Sequence, residues 1–213
     1  MRLGYRLLRR MFLIVAGPVF RLRIEGAEHV PDTGAAIIVA PHRSWLDPPL
    51  IAGACRRTVE FLILDSVYHT RWARWFYRWM RAIPVSPDGS ASLRALREAS
   101  RRLNSGGVIG IFPEGRVFPD AQPGEFRRGV ALLALRNSAP VVPIQISGSS
   151  RAWPRGRAWP GPATVRVRVG QSIDPKRLEE GTRERESVEE LMERIARAFE
   201  KLDARAWEVP ADG

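Results

Sequence analysis

The sequence predicts an α/β fold: a mixed, largely parallel central sheet flanked by helices, preceded by an N-terminal interfacial helical segment. Three observations carry this. Four short segments are almost continuously apolar, "AAIIVA" (35–40), "VEFLIL" (59–64), "GVIGIF" (107–112) and "VVPIQIS" (141–147), as strands covered on both faces are. Helical periodicities fill the gaps between them, and strand–helix alternation is the pattern of α/β chains. A fifth segment, "ATVRVRVG" (163–170), alternates valine with arginine, so one of its faces meets water and it is expected at a sheet edge.

Taken in order, residues 1–23 come first. Their apolar run "MFLIVAGPVF" (11–20) has ten residues and contains Gly17 and Pro18, whereas a spanning helix needs about 20. Arg9, Arg10, Arg21 and Arg23 bracket it. A signal peptide would share the basic start and apolar run, but no small-residue cleavage site follows. Residues 1–23 are therefore expected to be a membrane-associated helical segment lying in the interface, ahead of one domain at 24–213.

After the strand at 59–64 comes "YHTRWARWFYRWMRAIPV" (68–85), which reads as a helix. At 100° per residue Trp72, Trp75, Phe76 and Trp79 share one sector, and Arg71, Arg74, Arg78 and Arg81 another. Three readings stay open for it: core packing, a bilayer interface, or stacking on single-stranded nucleic acid. The next helix carries Leu93, Leu96 and Leu103 on one stripe, with Ser90 or Ser92 as its cap and Gly106 ending it. Further helices are expected over 125–138 and 186–207. The loop at 149–162 is rich in Pro, Gly and Arg and contains "RAWP" twice.

Length and composition bound the function. A chain of 213 residues with 45% hydrophobic and 27% charged residues is an ordinary single globular domain, so the charge balance is what distinguishes it. Lys+Arg number 34 against 23 Asp+Glu, a net charge of +11, and only Lys176 and Lys201 are lysine. Such a surface attracts polyanions: nucleic acid, an anionic bilayer or a phosphorylated ligand. A genome that writes Arg for Lys would give the same excess without any partner. Cys55 is the one cysteine, which excludes an intrachain disulfide and a cysteine-based metal site and fits a reducing, cytosolic compartment.

Two stretches carry chemistry. In "APHRSWLDPPL" (40–50), His42 follows a predicted buried strand, at the carboxyl end where open α/β sheets place their sites. Asp47 lies five residues on, which in a continuous helix is about 140° and would part the two side chains. With a turn around Arg43 and Ser44 they meet, and Asp47 fixes one imidazole nitrogen while the other acts as a base. A surface histidine of no catalytic role is the rival reading. No G-x-S-x-G nucleophile setting exists, so the pair points to direct deprotonation of a substrate hydroxyl. In "GIFPEGRVFPD" (110–120), Glu114, Gly115 and Arg116 stand at a second strand exit, where arginine suits bidentate recognition of phosphate and equally suits a salt-bridged turn.

Together these segments resemble the glycerolipid acyltransferase family, the PlsC-like enzymes whose type member is lysophosphatidic acid (1-acyl-sn-glycerol-3-phosphate) acyltransferase. The H-x4-D motif is "HRSWLD", the F-P-E-G motif is "FPEGR" (112–116), and the P-V-V-P run is "APVVPIQISG" (139–148). The resemblance implies transfer of a fatty acyl group from acyl-CoA or acyl carrier protein to a hydroxyl of a lysophospholipid, in phospholipid biosynthesis, without a covalent acyl-enzyme. His42 would be the general base and Asp47 its orienter. Glu114, Gly115 and Arg116 would bind the acceptor, and 139–148 would support the acyl site. It implies no metal and no cofactor beyond the acyl co-substrate, an anionic membrane surface as partner rather than nucleic acid, and a peripheral or monotopic position on the cytoplasmic face. Two positions depart from the family pattern: Pro87 stands where an arginine is common, and "EGRV" replaces E-G-T-R, leaving Val117 at the arginine position. They leave room for a lyso-aminolipid or glycolipid acceptor. A non-catalytic basic module binding lipid or nucleic acid, and a thioesterase, are the other readings.

Overall fold

Strands that are apolar on both sides must be covered on both sides, and the order of elements delivers a helix layer to each face. The computed structural model describes residues 2–71, 74–85, 89–113, 128–154, 156–175 and 184–204. In chain order they form α1 (Arg2–Val19), β1 (Arg23–Glu25), a 3-10 turn (Ala27–His29), β2 (Ala36–Val39), α2 (Asp47–Ala54), β3 (Val59–Leu64), α3 (Asp65–Tyr68) and α4 (Arg74–Trp79). There follow β4 (Ile83–Val85), α5 (Gly89–Asn104), β5 (Val108–Ile111), α6 (Arg128–Arg136), β6 (Val141–Ser147), α7 (Ser149–Ala152), β7 (Arg166–Val169) and α8 (Glu184–Ala204).

Among the described residues the strands form one seven-stranded sheet in the order β1-β7-β6-β2-β5-β3-β4. Every neighbouring pair is parallel except β6 with β7. The side-chain alternation of β2 separates two cores. Ala36 and Ile38 face one way, into a cluster with Ala16 of α1, Phe20 just after it, and Leu50 and Ile51 of α2. Ile37 and Val39 face the other way, towards Ala99 and Leu103 of α5, Val130 and Ala134 of α6, and Leu191 and Ile195 of α8. The mixed, largely parallel sheet between helices is thus as the pattern of apolar segments predicts.

Three local expectations are corrected. The Val/Arg strand is not at the edge: β7 lies between β6 and β1. The short strand β1 covers its open side, with Arg23 opposite Arg166 and Glu25 opposite Arg168. On that polar face Arg168 is buried beneath β1 and gives Nε–H to a carboxylate oxygen of the exposed Glu25 at 3.2 Å, while Arg23 stays in water. The 68–85 stretch is not one helix either. It holds the end of α3, the six-residue α4 and then the strand β4, which pairs with β3 at the sheet's other edge. Chain that must return to the sheet at Ile83 has no room to continue as a helix. Lastly, the buried stripe of α5 runs through Ala95, Ala99 and Leu103, and Leu93 points to solvent. The helix starts at Gly89 and runs to Asn104, and it is closed off by Gly106, whose φ of +74° lets the next amide, Gly107 N–H, reach back to Arg102 O at 2.9 Å.

One carboxylate sits inside β3. Glu60 is buried, and it is held between two guanidinium groups, Arg81 Nε at 3.2 Å and Arg102 Nη1. Arg102 also donates to Glu98 at 2.7 Å and to the Arg81 carbonyl at 2.7 Å. A buried charge persists only when paired and hydrogen-bonded, and this network ties the α4–β4 corner to α5.

Candidate active site

β2 ends at Val39, and the chain leaves the sheet through residues 40–46 before α2 begins at Asp47. The local sequence sets this turn. Leu46 is the residue before the helix, and Pro48 and Pro49 occupy its first turn, where prolines are tolerated because the N–H groups there have no helical partner. These two residues offer no N–H for the Asp47 carboxylate to cap. It reaches backwards instead. Asp47 Oδ2 accepts the backbone N–H groups of Arg43 and Ser44, each at 2.7 Å, and lies 3.1 Å from His42 Nδ1. The turn that was needed for His42 and Asp47 to meet is therefore present, and the carboxylate is what holds it closed.

The burial of the pair is asymmetric. The side chain of Asp47 is 1% exposed and that of His42 13%. A carboxylate oxygen that takes two backbone donors can only accept from a third, so Nδ1 carries the imidazole proton and Nε2 carries the lone pair. This is the arrangement of a base with a fixed tautomer. The other oxygen, Asp47 Oδ1, is buried without a hydrogen-bond partner among the described residues.

Two contacts were not legible as functional in the sequence. The His42 ring stacks on Phe112 with centroids 4.1 Å apart and planes at 21°. Phe112 was visible only as the first letter of the F-P-E-G motif; the signal that could have found the contact is strand adjacency, because β2 and β5 run side by side and both end here. Ser44, buried, gives its hydroxyl proton to the Trp153 carbonyl at 3.0 Å and accepts Leu46 N–H at 3.2 Å. It joins the turn to the Pro/Gly/Arg-rich loop.

Glu114, Gly115 and Arg116 lie outside the described residues, as do Pro87 and Val117. The 139–148 segment supplies β6, whose Val142, Ile144 and Ile146 are part of the core on the α1/α2 side. Cys55 closes the far end of α2, away from Asp47. Burial pushes its thiol up to about 12, more than the nearby Arg9 and Arg57 guanidinium groups pull it down. The folded protein is expected to leave a disulfide reagent such as Ellman's unconsumed at pH 8 and to release one equivalent of chromophore when denaturant is added. Prompt reaction without denaturant would show that α1 does not seal this position.

The apolar stripe of α1 is uncovered. Leu3 is 81% exposed, Ile14 73% and Val15 64%, while Tyr5, Ala16 and Phe20 are buried. Tyr5 Oη donates to the Ala52 carbonyl at 3.2 Å and Arg9 Nε to that of Gly53 at 3.0 Å, which pins the helix to the end of α2. A Cβ on Gly4 would come within 3.4 Å of Trp79, so α4 lies alongside, and its Trp75 is 69% exposed. Of the three readings of the Trp/Arg stretch, core packing does not hold for Trp75 and Phe76, both exposed; Trp72 lies outside the described residues. Among the described residues no helix is long and apolar enough to cross a membrane.

Known proteins resemble this chain in sequence and in fold. The 1-acyl-sn-glycerol-3-phosphate acyltransferase of Pseudomonas aeruginosa is 28% identical over 166 residues, 75% of this chain and 61% of that protein. The chloroplastic 1-acyl-sn-glycerol-3-phosphate acyltransferase LPAT1 of Arabidopsis thaliana is 26% identical over 141 residues, 65% of this chain and 39% of that one. The chain thus spans between about two fifths and three fifths of the length of these relatives. The crystal structure of the 1-acyl-sn-glycerophosphate acyltransferase PlsC from Thermotoga maritima superposes with a TM-score of 0.69 at 25% identity, covering 98% of this chain and 100% of that one. A family profile described as Acyltransferase matches residues 21–147, a stretch that contains β1 to β6 and the His42–Asp47 turn. With well over half of its length inside that profile, the chain belongs to the acyltransferase family.

Proposed function

We propose that the protein is an O-acyltransferase that moves a fatty acyl group from the thioester of acyl-CoA or acyl carrier protein to the free hydroxyl of a lysophospholipid, 1-acylglycerol-3-phosphate or a close relative, in phospholipid biosynthesis. One observation carries the mechanism: His42 Nδ1 is tethered to the buried Asp47, leaving Nε2 as the basic atom at the carboxyl end of β2. Nε2 takes the acceptor's hydroxyl proton as that oxygen attacks the thioester carbonyl. The new C–O bond forms, the C–S bond breaks, and the thiolate leaves with the proton that His42 returns. The Asp47 carboxylate stabilises the imidazolium in between. The names and shared sequence of the bacterial and chloroplast relatives support the acceptor class, and Glu114, Gly115 and Arg116 are the residues we assign to it.

The uncovered stripe of α1, with arginines beside it, supports a peripheral or monotopic site of action on a bilayer, and we place the protein on the cytoplasmic, anionic leaflet. On this reading residues 1–23 are the membrane-associated segment of a 24–213 acyltransferase domain, and nucleic acid is not a partner.

The test is thiol release from a long-chain acyl-CoA or acyl carrier protein in the presence of a lysolipid panel, with mass spectrometry of the lipid formed. Release coupled to acylated 1-acylglycerol-3-phosphate is the expected outcome. Acylation of a lyso-aminolipid or glycolipid alone would move the acceptor in the direction that Pro87 and Val117 suggest. Release with free fatty acid and no acylated lipid would make the protein a thioesterase, and no release with any donor would leave a binding module.

A further inference from the structure

We propose that Phe112 is a positioning residue for the general-base step: its ring face fixes the plane of His42 and steadies the cation formed when His42 takes a proton. The proposal rests on the reading of His42 as the base. A single hydrogen bond from Nδ1 to Asp47 holds one edge of the imidazole but leaves the ring free to swing about the Nδ1–Oδ2 direction. A stacked ring closes that rotation, and Phe112 is stacked at 4.1 Å. The same contact acts on charge. A cation within about 6 Å of an aromatic centroid is attracted by the negative face of the ring, more strongly where water is excluded. The imidazole is neutral before the proton moves and charged afterwards, so this attraction is stronger in the transition state than in the ground state, which is the condition for raising turnover rather than binding.

Phe112 is itself held from behind. Phe61 of β3, buried, lies parallel to it, with planes at 8° and centroids 5.7 Å apart. The space for Phe61 comes from Gly110, its register partner on β5. A Cβ on Gly110 would meet Phe61 Cδ1 at 2.5 Å and Val59 Cγ1 at 2.9 Å, contacts that no side chain can make. Gly110, Phe61, Phe112 and His42 thus form one stack rising from the sheet to the base, on the α1/α2 side, where Phe61 belongs to the core and Phe112 packs against it. Glycine inside a strand weakens it, and here the absent side chain is replaced by the ring that backs the site.

The experiment compares Phe112→Leu, Phe112→Tyr, Phe112→Trp and Phe61→Leu in the full chain, with thermal melts to establish folding. Phe112→Leu keeps apolar bulk and removes the π face; it is expected to lower kcat about ten-fold with the KM of both substrates unchanged. Tyr and Trp retain a face and are expected to stay within about two-fold of wild type, and Phe61→Leu to fall between. Proton NMR gives a readout independent of turnover. With three histidines in the chain, the His42 ring protons are assignable by their loss in His42→Ala, and the Phe112 ring current shifts them upfield; the shift disappears in Phe112→Leu and persists in Phe112→Tyr. Wild-type kcat in a folded Phe112→Leu, a loss carried by KM, or Tyr and Trp variants as impaired as Leu would each overturn the proposal. If His42→Ala keeps its turnover, the general-base reading fails and this one with it. If His42→Ala is inactive and Phe112→Leu is not, only the stack is refuted.

Discussion

Substitution of His42 by alanine is expected to reduce turnover about a thousand-fold while the protein stays folded, because the group removed is the proposed base and not a core residue. The side chain is 13% exposed and among the described residues its polar contact is with Asp47, so its loss opens no large cavity. Thiol release from acyl-CoA with saturating lysolipid is the measurement, and KM for both substrates should change little. Turnover within ten-fold of wild type would remove His42 from the chemistry. Asp47→Asn is the companion variant. The amide keeps the size of the carboxylate but offers one acceptor oxygen and a donor nitrogen where Oδ2 now gathers three donors. The turn loosens and the imidazole loses its fixed tautomer, with an expected loss of about a hundred-fold in kcat. Both variants acting at once should cost no more than His42→Ala alone, since the aspartate works through the histidine.

The second large effect is on membrane binding. The double variant Leu7→Glu with Ile14→Glu places two carboxylates in the uncovered stripe of α1. Burial of a Leu or Ile side chain in an apolar phase is favourable by about 1.5–3 kcal/mol, so losing two should lower partitioning onto anionic vesicles by at least about a hundred-fold. Co-sedimentation with vesicles of anionic phospholipid measures it, and raising the salt should weaken the wild type further by screening the arginines. Both side chains already face solvent, so the melting temperature should be unchanged. Equal recovery of wild type and variant in the pellet would show that α1 is not the docking face. The tryptophans are the weaker target: α4 has six residues, and Trp79 is turned towards Gly4 of α1.

What could be read in the sequence follows from which forces are local. The four apolar strands were legible because burial on both faces leaves a run that no loop or amphipathic helix imitates. The His42–Asp47 contact was legible because the two lie five residues apart, so one local turn is enough to bring them together. The short strands β1 and β4 were not. Three residues carry no period, and what makes Arg23–Glu25 a strand is its partner at Arg166–Arg168, far along the chain. The same missing partner put β7 at an edge. The Trp/Arg stretch failed for a related reason: its helical period is real, but the pairing of β4 with β3 overrides propensity from Ile83 on. Phe112 needed the register of two parallel strands, which is tertiary information.

The pairing of β1 with β7 also governs the order in which the protein comes into being. Glu25 and Arg168 are 143 residues apart, and Val165 receives the N-terminal segment through its hydrogen bonds with Phe20 and Arg23. During synthesis α1 leaves the ribosome long before the strand that anchors its exit exists. Over that interval its apolar stripe and the face it later buries against α2 are both open, and on the proposed interfacial reading a bilayer shelters them. Closure of the sheet edge is a late, long-range event of the kind that slows folding. A nascent chain halted before residue 166 has no partner for β1, whatever the state of its core.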